Sequence, residues 1–355
     1  MAKINLRPLV PILLVLVIAG CAQKNVNLPH SAIDPTASWL AKTSQFGQVF
    51  TSIDTVTLKR QPNHLIGQIL EVRLMQDNSI IVADNITRQL LLYDGNGHLM
   101  RQIGRSGSGP GEYMRLADIG LDGLDNIMLF DNGLRRVTLY DSTGVLIKSY
   151  KVPFGYHLLP SSGGAFFILN TIAPIGTDGV DLFGKDGNLE NTFFEIPKAA
   201  VVDQIPIGAG SIVSDSMGNV YIVHGCSYKV SKFTKNGKFL GDFGRRPSFF
   251  KALSGPIRPP DNSSINEFTP AIKLLVLSGH ILSVIFSRNV PKTCWMELYD
   301  LNGNYLTEVT LPSGVGTPAA VSGKYLYLYL TLQPKLKDAQ TGLPNPMLVT
   351  YKLNR

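Results

Sequence analysis

Cysteine and tryptophan are scarce in this chain, with three and two copies in 355 residues, and charged side chains make up only 17%. Three cysteines allow at most one internal disulfide and one other use. The six histidines are His30, His64, His98, His157, His224 and His280, and none forms an H-x-H or HExxH pair, so no zinc site is legible. No Gly-x-Ser-x-Gly elbow or other nucleophile signature is present. The glycine run between Gly104 and Gly111 joins strand to strand, with no helix N-terminus to offer N–H groups to a phosphate, which argues against a nucleotide site. No apolar stretch approaches the about 20 residues a membrane-spanning helix needs. The net charge of +7 becomes +5 without Lys3 and Arg7, a mild excess that does not call for nucleic acid.

Against these absences stands a recurring phrase: an aromatic residue, usually followed by Asp, with Gly four positions after the aromatic. It begins at Tyr93, Tyr140, Phe183, Phe233 and Tyr299, and a truncated copy starts at Tyr351. The aromatics are 47, 43, 50, 66 and 52 residues apart, the period of one four-stranded blade per repeat. Asn-Gly and Asp-Gly steps suit tight hairpin turns. The expectation is an all-β, six-bladed β-propeller over residues 47–355. The sixth blade has only three strands of its own, and the β-rich run 49–58 precedes the first blade. Pairing that run beside 348–353 makes it the outer strand of the last blade and closes the ring.

The N-terminus reads as an export signal. Lys3 and Arg7 precede the apolar stretch Leu9 to Ile18, and the segment ends Ile18-Ala19-Gly20-Cys21. This ending resembles a bacterial lipobox. The resemblance implies a signal peptide over 1–20, a lipid-modified Cys21 that anchors without spanning, and a tether over 21–46. Ala22 after the cysteine favours, by the same resemblance, the outer membrane, with the protein facing the periplasm or the cell surface.

The wording of the repeats also resembles a family. Ala83-Asp84-Asn85-Ile86-Thr87-Arg88, Asp131-Asn132-Gly133-Leu134-Arg135 and the loop 104–113 are similar to NHL-type repeats, closest to the six-bladed propeller lipoproteins of bacteria. The resemblance is strong over 80–150 and weak in blades three, five and six. It implies the fold more than an activity.

Strands alternate in direction, so blade-to-blade connectors and second-to-third-strand loops share one face, the connector face. That face collects the long loops and most of the arginines, so ligand contact is assigned to Arg88, Arg105, Glu112, Tyr113, Arg115, Arg135 and Arg245. A structural alternative stands beside this assignment: Asp84 and Asp131 cap their own loops, the arginines pair with neighbouring blades, and Glu112 and Tyr113 are pinned beneath the Gly-Pro-Gly turn. Of the histidines, only His64, His157 and His224 can approach the connector face or the central channel. Glu112, Asn170 and Asp203 could be forced into a calcium set, but nothing in their context supports one, and no metal or cofactor is expected. Cys226 and Cys294 fall in second-to-third-strand loops of adjacent blades and form a candidate disulfide, with buried thiols as the alternative. Two function classes remain open. One is a monomeric, membrane-anchored binding protein that holds a partner protein, peptide or anionic glycan. The other is a propeller hydrolase or lyase acting on an anionic carbohydrate or lactone, which would show converging carboxylates or histidines at the central funnel.

Overall fold

The structure is a computed structural model that describes residues 45–197, 201–202, 205–206, 210–247, 250–251, 269–287, 293–312, 315–322, 325–330 and 345–354. Cys21, the expected signal and nearly all of the expected tether therefore lie outside the described residues, as do His30 and Asp203.

The recurring phrase has a three-part physical meaning. Its aromatic ends the third strand of a blade and is buried: Tyr93, Tyr140, Phe183, Phe233 and Tyr299 are at most 6% exposed. The Asp that follows caps the turn. Asp94 Oδ1 accepts N–H groups from Asn96 and His98, and Asp141 and Asp300 repeat the pattern two and four residues on. The Gly then takes a positive φ, 79° at Gly97 and 88° at Gly303, where a side chain would be strained. Each turn also abuts the outer strand of the preceding blade. A Cβ at Gly97 would sit 2.1 Å from the carbonyl oxygen of Thr57, so these glycines serve blade packing as well as the turn.

Six four-stranded antiparallel sheets result. Blade one is Ile69–Leu74, Ile80–Asp84, Gln89–Tyr93 and Leu99–Ile103 from the inside outward. The inner strands of blades two to five are Leu116–Leu121, His157–Pro160, Gly210–Ser214 and Ala271–Leu277. Blade six combines Val315–Ser322, Tyr325–Leu330 and Met347–Leu353 with Phe50–Thr57 outermost. Phe50 lies opposite Leu353 and Thr57 opposite Met347. A single helical turn, Phe46–Val49, precedes that strand, so residue 49 is helical where the pattern suggested strand. Phe46, Val49 and Phe50 pack with Leu298, Leu306, Val309 and Leu311 of blade five, so the helical turn sits where other blades have their third-to-fourth-strand turn.

The core is divided into wedges between blades. Tyr113, Tyr140 and Ile103 fill one seam, and Tyr221, Val230, Ala271 and Tyr299 another. Fully buried aromatics in these seams bring large apolar area and hold the ring without cross-links. Cys226 and Cys294 are both buried thiols with no bond between them, which corrects the candidate disulfide. The reason is placement. Cys294 is inside the third strand of blade five (Thr293–Asp300), opposite Phe286, rather than in a loop, while Cys226 follows the second strand of blade four.

Candidate functional site

The connector loops are tied down from within. Asp84 accepts N–H groups from Gln68 and Thr87, at 2.6 Å each, and the Thr87 hydroxyl at 2.8 Å. Asp131 accepts from Met114, Arg115 and Leu134. The glycine-rich connector closes on itself through a short parallel pairing of Arg105–Ser106 with Glu112–Tyr113. Arg136 donates to the carbonyls of Ser108, Gly109 and Glu112 and clamps this loop to blade two.

The expected contact residues divide under this scaffold. Tyr113 is fully buried: its hydroxyl donates to Ile103 O and accepts from Leu90 N–H, both at 3.1 Å, so it offers no surface to a ligand. Arg105 Nε donates to Glu112 Oε1 at 2.7 Å, and Glu112 also accepts from Gly109 N–H. The Gly109 N–H and Arg105 hold the Glu112 carboxyl below its usual range. Both residues are engaged in shaping their own loop. The Arg245 guanidinium lies 5.1 Å over the Tyr305 ring. Arg88, Arg115 and Arg135 are exposed and form no ion pair among the described residues. Arg88 and Arg135 sit at equivalent loop positions with φ of 52° and 50°, the left-handed conformation that ends each loop. Arg115 directly precedes the inner strand of blade two, which puts it at the mouth of the central channel.

Below that mouth lies a cluster whose members the sequence pattern did not single out, His157 apart. Glu71, Asp118, His157, Ser211 and Lys273 occupy the same rung of five successive inner strands, opposite Ala83, Phe130, Leu169, Val223 and Val284. Their alternating neighbours Val72, Ile119, Leu158, Ile212 and Leu274 are buried in the blade seams. Lys273 Nζ donates to Glu71 Oε1 at 2.7 Å. Blades one and five are not neighbours, because blade six stands between them, so this contact runs along the channel. Arg73 pairs with the same Glu71 oxygen and reaches Asp118 Oδ1 at 3.5 Å. Asp118 Oδ2 accepts the Leu158 N–H at 2.9 Å and lies 3.9 Å from His157 Nδ1. Four blades thus contribute to one polar network around the axis.

Its electrostatics are set by burial against mutual pairing. Burial raises the Glu71 carboxyl, but Arg73 and Lys273 outweigh it and hold the group below its usual range. Burial lowers the Arg73 guanidinium, and Glu71 and Asp118 reverse that. Asp118 is pushed up to about 6 by burial, against Arg73. His157 is pushed down to about 4 by burial, against Glu71. Among the described residues the named members at pH 7 are two carboxylates, the cations Arg73 and Lys273 and a neutral imidazole, whose formal charges cancel. The imidazole Nε2 is buried without a protein partner, and so is Asn132 Oδ1 on the adjoining seam of blades two and three. Phe154 and Tyr156 meet edge to face at 5.2 Å just before His157, and the Arg115 charge reaches the Tyr156 hydroxyl. His64 and His224 do not join: His224 is buried in blade four, bonded to Thr171 O and Cys226 N–H. Among the described residues no group of three or more His, Cys, Asp or Glu is placed to hold a metal ion.

Six blades around a polar axial network define a propeller with a built central mouth. Residues 32–239 match the family described as a domain of unknown function, DUF4934, and the chain belongs to that family. The fold is similar to an exported protein of Bacteroides fragilis at 13% identity and a TM-score of 0.63, over 88% of this chain and 97% of that one. It is likewise similar to a member of the DUF4221 family from Bacteroides vulgatus at 11% identity and a TM-score of 0.65, over 86% and 98%. A streptogramin B lyase structure matches at 10% identity and a TM-score of 0.51, over 88% and 90%. At these identities the likeness concerns the fold. No curated protein matches.

Proposed function

We propose that this chain is an extracytoplasmic, lipid-anchored binding protein that holds an anionic glycan at the connector-side mouth of its central channel. The observation that carries the reading is the axial network. Planar and charged groups from four blades converge where the inner strands of the blades meet, and two buried polar atoms beside them lack protein partners. Such groups match sugar hydroxyls, each of which can donate and accept, better than they match an isolated ion. Tyr156 and Phe154 supply apolar faces for a ring, and Arg115, Arg88 and Arg135 supply unpaired positive charge at the rim for a carboxylate. The lipobox-like Ile18-Ala19-Gly20-Cys21 and the exported neighbour support the address. No helix among the described residues is long and apolar enough to cross a membrane.

The test is calorimetric titration of the purified chain with uronic-acid oligosaccharides and their neutral counterparts, repeated with Arg73→Gln and His157→Ala. Binding that prefers the acidic sugars and is lost in both variants supports the site. Unaltered binding by both variants refutes it. The Asp118–His157 pair favours one second reading, a lyase or hydrolase, in which a neutral imidazole beside a carboxylate takes a substrate proton. Product release from the same oligosaccharides during the titration would move the assignment to that class.

A further inference from the structure

The turns opposite the connector face carry an unusual surface. Met100, Leu124, Ile147, Leu189, Met217 and Phe239 are each 50 to 78% exposed. Leu124 and Met217 occupy first-to-second-strand turns, and the others stand at the start of outer strands, directly after the third-to-fourth-strand turns. Among the described residues nine of the thirteen exposed large apolar side chains lie at these turns, all in blades one to four, against three in the described connector loops. Polar residues are the usual occupants of tight exposed turns, and apolar side chains recur at them here in four blades. The described chain enters on the same face, at blade six. Phe50 pairs with Leu353, at the end of the strand remote from the 331–346 loop, and the helical turn Phe46–Val49 takes the place of blade six's own turn. Cys21 is separated from Gln45 by residues 22–44. Fully extended, those residues reach at most about 80 Å, which bounds the distance between this face and a lipid on Cys21.

We infer that the short-turn face rests on the lipid surface, its apolar side chains set shallowly among zwitterionic headgroups, with the channel mouth turned away from the membrane. The charge of the face selects that surface. Its capping aspartates, such as Asp94, Asp141 and Asp300, are interspersed with the exposed Arg101, Lys148, Lys185, Lys235 and Lys238, a mixed pattern that matches zwitterionic headgroups better than a bilayer of one sign. The inference rests on the lipid-anchor part of the proposed function and is independent of what the mouth binds.

The test uses the full lipidated chain in phosphatidylcholine vesicles containing a lipid-borne quencher, with an environment-sensitive fluorophore attached through Met217→Cys or Ile86→Cys. Ile86 is a matched control, 66% exposed on the connector face, and the native thiols are buried. The label at position 217 is expected to be quenched at least about threefold more than that at 86, as for groups lying within the headgroup boundary. Leu189→Glu combined with Phe239→Glu should abolish the difference while the chain still floats with the vesicles. Equal quenching at both positions on floating vesicles overturns the inference and leaves the anchor intact. A chain that does not float with the vesicles removes the anchor and the orientation together.

Discussion

Asp118 Oδ2 lies 3.9 Å from His157 Nδ1 across the seam between blades two and three, and the same oxygen accepts the Leu158 N–H at 2.9 Å. The carboxylate is thus held by the backbone of the blade that supplies the imidazole, which makes the pair a fixed feature of the seam rather than a chance encounter of two mobile side chains.

A pH dependence of binding follows from this pair. Asp118 titrates at about 6, while His157 stays neutral down to about 4. As the pH falls through 6 the network therefore loses one negative charge and becomes net positive. Glu71 stays ionised beside Arg73 and Lys273 over this range. Affinity for an acidic oligosaccharide is expected to rise by about tenfold between pH 7.5 and 5, equivalent to about 1.4 kcal/mol. Asp118→Asn should flatten the profile. A wild-type profile without slope would show that the ligand does not sense this network.

The rim makes a separable prediction. Arg115 is exposed and unpaired at the mouth, whereas Arg105 is engaged with Glu112. Arg115→Glu is expected to weaken capture of an acidic glycan in a salt-sensitive manner while stability stays within about 0.5 kcal/mol. Arg105→Glu should set two carboxylates against each other in the 104–113 loop and lower the melting temperature instead. Equal effects of the two variants on binding would show that the rim acts through overall charge alone.

The aromatic–Asp–Gly phrase made the architecture legible, because burial, turn capping and positive φ each impose a residue type at a fixed spacing. The axial site was not legible in the same way. Glu71, Asp118 and Lys273 lie in short strands 47 or more residues apart, Glu71 sharing its strand with Arg73, and nothing local marks them. Only aligning the five inner strands on a common rung shows that Val72, Ile119 and Leu274 alternate with them and face the seams. The arginines were visible because loops advertise charge, but what each one touches depends on neighbouring blades. Tyr113 illustrates the limit: its place on the connector face suggested a contact residue and its place beneath the Gly-Pro-Gly turn a structural one, and the fold spends it on the backbone of blade one.

That assignment for Tyr113 can be checked by removing its hydroxyl. Tyr113→Phe leaves Ile103 O and Leu90 N–H without their shared partner in a fully buried seam. The expected loss is about 1–3 kcal/mol in denaturant unfolding, with glycan affinity unchanged in the folded protein. A variant as stable as wild type but deficient in binding would return Tyr113 to the ligand.

The last prediction concerns a carboxyl outside the mouth. Glu297 is fully buried between blades four and five, accepting the Tyr299 hydroxyl at 2.7 Å on one oxygen, while the other has no partner. Burial pushes its pKa up from 4.5 to about 8, against the hydrogen bond from Tyr299. The folded chain therefore keeps a proton there that the unfolded chain releases near pH 4.5. Between those two values the folded state binds more protons, so stability falls as pH rises, by roughly 1.4 kcal/mol per unit for this one group. Above about 8 both states are ionised and the penalty stops growing. Glu297→Gln removes the titration while preserving an acceptor for Tyr299. Its melting temperature, compared with wild type from pH 4 to 9, is expected to match at the acid end and exceed it progressively from pH 5 to 8. A constant difference across that window would mean that Glu297 ionises normally in the folded chain and that water reaches the seam.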